Sequence, residues 1–385
     1  MSAAARIPLS RPSVGEEEVE AAARAIRSGW LSQGEEVAAL EREFGLYLDP
    51  TDPPHVVAAS SCTAALHLCL VNYAALRCPD PDLVVACPSY TFVATANAAI
   101  HARAEVRLRE IDAATYNLDP ARLRVAAAEF KRPVNAVIAV HQVGMPCDLA
   151  GIWEALPRAA VIEDAACAIG ARAGGRHVGT DPRSVAACFS LHGSKSVVAG
   201  EGGLVATRDR GFAARLRSLR QHGVDVGAEH RPDAATEQYG APGWNYRMTD
   251  VQAAIAREQV RKADRIVTAR RRLADRYNHA LGDICAVPVV ARAGVEHAYQ
   301  RYLIRVVNGE TRERLVEALL GAGISCRRGL QVVHRQPYWR GRDSLPVTEA
   351  VADTTVQLPL WADMAEDEQE RVIAGVRHCL EAGER

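Results

Sequence analysis

Lys195 is the first residue whose type and position suggest chemistry. The chain has 46 basic residues, yet only three of them are lysines, at positions 131, 195 and 262. Arginine can take over most surface roles of lysine, but its guanidinium stays protonated and cannot form a Schiff base. Lys195 lies between the apolar run 185–189 and a glycine cluster at 200–203. It is therefore a candidate amine nucleophile for an aldehyde cofactor, the alternative being an ordinary surface lysine.

A second candidate is the carboxylate of Asp164, which ends the predicted strand Ala159-Ala-Val-Ile-Glu-Asp164. Sheets of the α/β class bind their ligands at the carboxyl ends of buried parallel strands. A buried carboxylate stays ionised beside a cationic partner, and a protonated pyridine nitrogen is such a partner. The alternative is that Asp164 only caps the turn at residues 165–169.

A third feature is the start of a helix at Ser60-Ser-Cys-Thr63, directly after the apolar run 55–59. Free backbone N–H groups and the helix dipole favour a phosphate at such a position, and Thr63 adds a hydroxyl. A simple helix cap is the alternative. The sequence contains neither a G-x-G-x-x-G nor a G-x-x-x-x-G-K-[ST] motif, which argues against dinucleotide and P-loop sites.

The three features together match one cofactor, pyridoxal 5′-phosphate. This cofactor needs a lysine that forms a Schiff base, an acid beside its ring nitrogen and a cup for its phosphate. Lys195, Asp164 and the helix start near Thr63 provide these three groups. We therefore predict Lys195 and Asp164 as catalytic residues.

The surrounding pattern predicts a mostly parallel α/β sheet. Apolar runs without polar alternation indicate strands buried on both faces, and helical segments such as 63–75 and 120–130 separate several of them. The predicted strands are 55–59, 83–87, 136–140, 159–162, 185–189 and 203–207. A capping box at 13–16 predicts a first helix that buries Val19, Ala22, Ala23 and Ile26 and ends at Gly29.

A long arginine-rich helix at 250–281, without glycine or proline, is expected to carry the chain out of the large domain. The remainder predicts a strand at 301–307, a helix at 312–320, a strand at 354–358 and a helix at 364–380. We accordingly predict a large cofactor-binding domain at residues 1–255 and a small α+β domain at residues 256–385.

Composition narrows the class of protein. The chain has 385 residues, 48% hydrophobic and 24% charged, with a net charge of −1, so neither nucleic acid nor a membrane surface is expected as a partner. It has no apolar run near the roughly 18 residues of a membrane span and no signal-peptide pattern. The ten cysteines form no C-x-x-C pair. We therefore expect no metal site and no disulfide framework, and a cytoplasmic location.

Over nearly its whole length the sequence resembles the DegT/StrS family of fold-type I pyridoxal-phosphate enzymes, the sugar aminotransferases. The motifs are weak singly but specific as an ordered set. They are Ile7-Pro-Leu-Ser-Arg-Pro12, Arg27-Ser-Gly-Trp-Leu-Ser-Gln-Gly34, Pro88-Ser-Tyr-Thr-Phe-Val-Ala-Thr-Ala-Asn97, Val161-Ile-Glu-Asp-Ala-Ala166, Gly200-Glu-Gly-Gly203, Gly243-Trp-Asn-Tyr-Arg-Met-Thr-Asp250 and Leu358-Pro-Leu360. The resemblance implies a large sheet domain with helices on both faces, a smaller C-terminal domain, and a homodimer.

The resemblance also implies the roles of individual residues. Lys195 holds the cofactor as a Schiff base and moves a proton between the substrate carbon and C4′, and Asp164 pairs with the ring nitrogen. The other implied contacts are Phe92 on the ring face, Thr63, the Ala64 backbone and Ser190 on the phosphate, Cys167 near the phenolic oxygen, and Asn245 on the phosphate of the partner subunit. Without the family, core packing is the favoured interpretation of Phe92, and a turn cap is the favoured interpretation of Asn245.

The sequence departs from the family pattern near the expected substrate site. Cys62 stands where the family usually has glycine, and Cys167 where it usually has glutamine or histidine. The family's His-x-x-Pro-x-His loop corresponds to residues 329–334, which keep only the second histidine, His334. Arg327 and Arg328 precede this loop and either bind a phosphorylated or carboxylated substrate or are solvated.

The predicted function is a homodimeric aminotransferase with shared active sites. The amino donor is expected to be glutamate, and the acceptor a nucleotide-linked keto sugar, or else a cyclitol or another keto intermediate. The departures leave two alternatives: another pyridoxal-phosphate reaction, such as elimination or condensation, and a non-catalytic regulatory member. The family's sugar 3-dehydratases carry histidine in place of the lysine, so Lys195 argues against that branch.

Overall fold

The computed structural model describes residues 6–77, 83–128, 132–224, 238–288, 293–339 and 343–382. Lys131 and the last two residues of the predicted helix 120–130 lie outside these ranges. Among the described residues, no helix is long and apolar enough to cross a membrane.

A seven-stranded sheet forms the centre of the molecule. Its strands are β1 (His55–Ala59), β2 (Val84–Pro88), β3 (Glu105–Arg109), β4 (Ala136–Val140), β5 (Ala160–Asp164), β8 (Ala186–Ser190) and β9 (Gly203–Thr207), in the order β1-β9-β8-β5-β4-β2-β3. β9 pairs antiparallel with both of its neighbours, β1 and β8, and the other pairs in this sheet are parallel. The prediction of a mostly parallel sheet is therefore confirmed.

Edge strand β3 was not predicted, because its sequence alternates between charged and apolar residues. In this strand only Leu108 is fully buried, whereas all five residues of β2, β4, β8 and β9 are buried. A search for continuous apolar runs finds strands that are covered on both faces and misses a half-exposed edge strand.

Helices cover both faces of the sheet. The helices are α1 (Glu16–Arg27), α2 (Glu35–Leu48), α3 (Cys62–Arg77), α4 (Val93–His101), α5 (Pro120–Ala127), α6 (Leu149–Ala155), α7 (Arg210–Leu219), α8 (Asp250–Arg261), α9 (Ala263–Leu281), α10 (Gly309–Gly321), α11 (Pro346–Thr354) and α12 (Glu366–Ala382). Apolar residues of α3, α4 and α7 pack on one face. Those of α2 and α8 pack on the other.

The prediction of which face of α1 is buried is wrong. Val19 and Ile26 are 59% and 57% exposed, and the buried residues are Glu18, Ala21 and Ala25. The two alanines allow close packing against α8. The helix begins after Gly15, whose N–H donates to the Glu18 carboxylate at 2.7 Å, rather than at the predicted capping box starting at residue 13.

The predicted helix 250–281 is two helices, α8 and α9, that meet at Lys262. This residue has φ −93° and ψ −3°. Its ammonium binds Glu18 at 2.8 Å and Glu17 at 3.1 Å, so the side chain is held toward α1 at the break.

The C-terminal residues form their own core. An antiparallel sheet of β11 (Tyr302–Arg305), β13 (Thr355–Leu358) and β12 (Arg327–Arg328), in that order, packs with α9, α10 and α12. Ile7 joins this core through a bridge to Ile324. A further small sheet pairs β10 (Val295–Glu296), β6 (Arg172–Ala173) and β7 (Arg176–His177). The domain boundary at 255/256 stays a prediction.

Gly203, the first residue of β9, allows the start of α3 to lie against the sheet. A Cβ atom here would lie 2.4 Å from the carbonyl carbon and oxygen of Ser61 and 2.6 Å from the backbone nitrogen of Cys62. All three of these atoms belong to the backbone, which cannot move aside as a flexible side chain can. Glycine is therefore required where β9 meets the predicted phosphate-binding helix start.

We predict that Gly203→Ala lowers the free energy of unfolding by about 1–3 kcal/mol, the usual effect of overpacking, and weakens cofactor binding by displacing the start of α3. Chemical denaturation checks the first effect and cofactor titration the second. Gly321→Ala is the matched control, because a Cβ at Gly321 has no atom within 4 Å. Equal behaviour of the two variants would contradict the packing argument.

Candidate active site

A cavity of about 450 Å³ opens at the edge of the sheet where the parallel strands end. Strand β5 ends there at Asp164 and β8 at Ser190. Six of the eight predicted site residues line the cavity: Thr63, Phe92, Asp164, Cys167, Ser190 and Lys195. Ala64 and Asn245 are not among its lining residues. The fold thus brings together residues that are up to 132 positions apart in sequence, from Thr63 to Lys195.

Lys195 lies on the segment that connects β8 to β9. Its backbone N–H donates to the carbonyl of His192 at 2.9 Å, and its amine donates to the Cys167 thiol at 3.2 Å. Lys262, in contrast, is held in ion pairs with Glu17 and Glu18 and is not among the residues that line the cavity. Of the lysines that the structure describes, only Lys195 presents its amine to the cavity.

Asp164 is 5% exposed and accepts two hydrogen bonds. The Thr95 hydroxyl donates to one carboxylate oxygen at 2.8 Å, and the backbone N–H of Ala166 donates to the other at 3.2 Å. No described cationic side chain forms an ion pair with Asp164. A buried carboxylate that faces a cavity in this way fits a cationic ligand atom such as a protonated ring nitrogen.

Thr95 was not among the predicted site residues. It lies in the first turn of α4 and contacts the hydroxyl of Thr91 at 3.0 Å as well as Asp164. The motif at 88–97 already contained both threonines. Their spacing of four residues at a helix start was the available signal, but only the fold shows which carboxylate they face.

The first two residues of α3, Cys62 and Thr63, line the cavity. Helix geometry leaves the first N–H groups without intrahelical partners, and here they belong to Cys62 and its neighbours. The N–H of Ala64 donates to the Ser61 hydroxyl at 3.1 Å, and Ala64 is buried outside the lining. The prediction that the Ala64 backbone binds the phosphate therefore stays a prediction, whereas Thr63 and Ser190 both reach the cavity wall.

The two cysteines that depart from the family pattern both line the cavity. Cys62 is the first residue of α3 and does not have a positive φ, so the backbone accepts a side chain there. Burial, and then the charge of Asp164, raise the pKa of the Cys62 thiol well above its ordinary value. Cys62 therefore stays a neutral thiol and does not compete with the Lys195 amine for an aldehyde.

Phe92 is 58% exposed although it is large and apolar, and it forms part of the cavity wall. An aromatic face turned toward a cavity suits stacking on a flat ring. Asn245 is exposed and forms a backbone bridge with Gln221. It lies outside the cavity of its own chain, so its predicted contact with a partner subunit stays a prediction.

The loop at 329–334 contributes Leu330 and Gln331 to the cavity, but not His334. His334 is buried between the Ser89 hydroxyl, at 2.7 Å, and the Glu349 carboxylate, at 3.0 Å. The histidine that the sequence shares with the family loop therefore has a structural environment here.

Two arginines reach the cavity, and one of them was not predicted. Arg327 lines the cavity, whereas its neighbour Arg328 forms an ion pair with Glu313 and lies outside the lining. Arg301, just before β11, also lines the cavity and was missed, because it lies in an unremarkable strand pattern. Together with Lys195 they give the cavity an excess of positive charge.

The residues present fit pyridoxal 5′-phosphate. The amine of Lys195, the buried carboxylate of Asp164, the aromatic face of Phe92 and the start of α3 line one cavity. They correspond to the aldehyde, the ring nitrogen, the ring face and the phosphate of the cofactor. The size of the cavity is within the usual range for cofactor and substrate sites.

Comparisons with known proteins agree with this fit. The model of the DegT/DnrJ/EryC1/StrS aminotransferase family matches residues 12–377. The chain is similar to the aminotransferase TlmJ from Streptoalloteichus hindustanus, with 28% identity, a TM-score of 0.87 and coverage of 98% of this chain and 100% of that one. It is also similar to DesV from S. venezuelae, solved with a ketimine intermediate, with 28% identity, a TM-score of 0.87 and coverage of 98% and 99%. A putative sugar aminotransferase from Streptococcus pneumoniae in its PLP form shares the fold at 22% identity, with a TM-score of 0.88 and coverage of 98% and 99%.

We predict that Asp164→Asn retains the fold but slows the reaction of the bound cofactor with an amino donor by about 100- to 1000-fold, the usual cost of losing a group that stabilises developing charge. Thr95→Val should slow it by about tenfold, because it removes one hydrogen bond to that carboxylate. Single-turnover absorbance measurements check both rates. Near-normal rates in Asp164→Asn would show that Asp164 is only a cap.

Proposed function

The chain belongs to the DegT/DnrJ/EryC1/StrS aminotransferase family, whose enzymes depend on pyridoxal phosphate, and on that premise we propose that it transfers the amino group of L-glutamate to a nucleotide-linked keto sugar. The observation that carries the proposal is the position of Lys195 and Asp164 in one cavity, with Phe92 on its wall. Bound pyridoxal phosphate supplies an aldehyde that condenses with amines and a ring that accepts an electron pair from the substrate carbon.

In this proposal Lys195 has two tasks. Its amine holds the cofactor between turnovers, and once released it carries a proton at Nζ to and from the reacting carbon. The contact with Cys167 at 3.2 Å and the backbone bond to His192 hold the lysine over the cavity. A lysine at this place supports transamination over dehydration, for which the family uses histidine.

Asp164 would pair with the ring nitrogen of the cofactor. The donors Thr95 and the N–H of Ala166 orient the two carboxylate oxygens. Phe92 would cover a ring face and exclude water from it, and the first N–H groups of α3 would receive the phosphate. None of these groups has to move far, because each is fixed by a strand end or a helix start.

We further propose a homodimer in which Asn245 reaches the cofactor phosphate of the partner subunit. Five apolar side chains near the start of the chain are more than half exposed, namely Val14, Val19, Ile26, Trp30 and Leu31. Clustered exposed apolar residues are typical of protein interfaces. Sedimentation of the purified protein tests this proposal, which a monomer at micromolar concentration would contradict. The cytoplasmic location stays a prediction.

We predict that the holoenzyme mixed with L-glutamate converts from the pyridoxal to the pyridoxamine form and releases 2-oxoglutarate, and that a nucleotide-linked keto sugar then restores the pyridoxal form. Absorbance and product analysis follow both half-reactions. Lys195→Ala is the control and should fail to convert. Elimination products without the pyridoxamine form would instead favour another pyridoxal-phosphate reaction, and the absence of any reaction would favour a regulatory protein.

A further inference from the structure

A second, smaller pocket, here called the side pocket, opens beside the cavity and shares Ser194, Arg301 and Arg327 with it. Its volume is about 160 Å³. Sites that enclose a whole ligand usually have about 300–1,000 Å³. The side pocket is therefore large enough for one end of a substrate whose other end lies over Lys195, the neighbour of Ser194.

The side pocket carries two positive charges that have no negative partner in the described part of the chain. No described carboxylate forms an ion pair with the guanidinium of Arg301 or of Arg327, although both line the pocket. The contrast with Arg328 is informative, because that guanidinium donates to Glu313 at 2.7 Å and 2.9 Å. Two arginines that converge on a pocket are typical of a site for carboxylate or phosphate oxygens.

The side pocket also contains two buried acceptors without donors. Gln300 is 4% exposed and Gln357 is 5% exposed, and the side-chain Oε1 of each has no hydrogen-bond partner among the described residues. The orientation of the Gln300 amide is fixed, because its Nε2 donates to the carbonyl of Ser194 at 2.9 Å. Rotating the amide would place oxygen against oxygen, so Oε1 of Gln300 requires a donor from elsewhere.

The backbone around the side pocket is held rigidly. The buried guanidinium of Arg270 donates to the carbonyls of Tyr299 at 2.9 Å, Gln300 at 2.6 Å and Leu360 at 3.2 Å. Tyr299 and Val143 have positive φ, +45° and +52°, and the N–H of Gln300 donates to the carbonyl of Val143 at 2.9 Å. Strained backbone of this kind persists where the surroundings fix a functional geometry.

We propose that the side pocket is the subsite for the anionic end of a substrate. Arg301 and Arg327 bind a carboxylate or phosphate group, and Gln300 and Gln357 accept hydrogen bonds from hydroxyl or N–H groups next to it. This inference rests on the proposed function and deepens it. The same anionic chemistry is present in the distal carboxylate of the amino donor and in the phosphates of a nucleotide-linked acceptor.

Two unreactive probes separate these sources. Glutarate represents the dicarboxylate donor and UDP the nucleotide of the acceptor, and calorimetry measures the binding of each to the holoenzyme. Arg301→Gln and Arg327→Gln should each weaken the binding of at least one probe by about tenfold or more. Arg328→Gln is the matched control and should change affinity less than twofold, because its guanidinium is already paired and lies outside both pockets.

Loss of glutarate binding alone identifies a donor subsite, and loss of UDP binding alone identifies an acceptor subsite. Gln357→Met should weaken the same probe, since methionine keeps the length of the side chain but lacks the acceptor. Failure of both probes to bind the wild-type protein would overturn the proposal, as would unchanged binding in both arginine variants or an equal loss in Arg328→Gln. These measurements require no turnover, so the subsite and the aminotransferase reaction can fail independently.

Discussion

The hydrogen bond from Thr95 to the buried carboxylate of Asp164 connects the start of α4 to the end of β5, and both of these residues line the cavity. Asp164 ends a central strand, and Thr95 lies in the first turn of α4, on a different crossover of the same sheet. The carboxylate is almost fully enclosed and accepts hydrogen bonds from the Thr95 hydroxyl and from the backbone N–H of Ala166. The Lys195 segment, the start of α3 and Phe92 line the same cavity as this carboxylate.

Close backbone packing is the second constraint. The start of α3 reaches the sheet because Gly203 has no side chain, and α1 reaches α8 through Ala21 and Ala25. Near the side pocket, the charged side chain of Arg270 is buried. Burial lowers the pKa of its guanidinium to about 10. It remains protonated near neutral pH, so it continues to bind the three carbonyls that fix Gln300 and its neighbours.

The sequence was sufficient for the central strands and for most of the cavity, because both depend on local signals. Continuous apolar runs identify strands buried on both faces, and residues at their carboxyl ends must meet at one edge of the sheet. Asp164 was predicted as a candidate on those grounds and Lys195 from the scarcity of lysine in the chain, and both line the cavity. The ordered motifs added Phe92 and Asn245, for which spacing gave no reason.

The features that the sequence did not reveal depend on contacts between distant segments. The exposed face of α1 was mistaken for the buried one because Glu18 is drawn inward by Lys262, which no helical periodicity can indicate. The same ion pair accompanies the break between α8 and α9. Arg301, Gln300 and Gln357 line one pocket, and the sequence does not indicate that they lie close together. The lack of a hydrogen-bond partner for the two glutamine oxygens is likewise visible only in the fold of the described residues.

Chemical trapping of the cofactor tests the central claim, that the Lys195 amine is the group that binds it, most directly. Borohydride reduction of the holoenzyme, followed by proteolysis and mass spectrometry, should place the cofactor label on the peptide that contains Lys195, with none on the peptides of Lys131 or Lys262. The Lys195→Ala protein should carry no label at all. A label on either of the other two lysines, or a label that persists in Lys195→Ala, would contradict the assignment of the site.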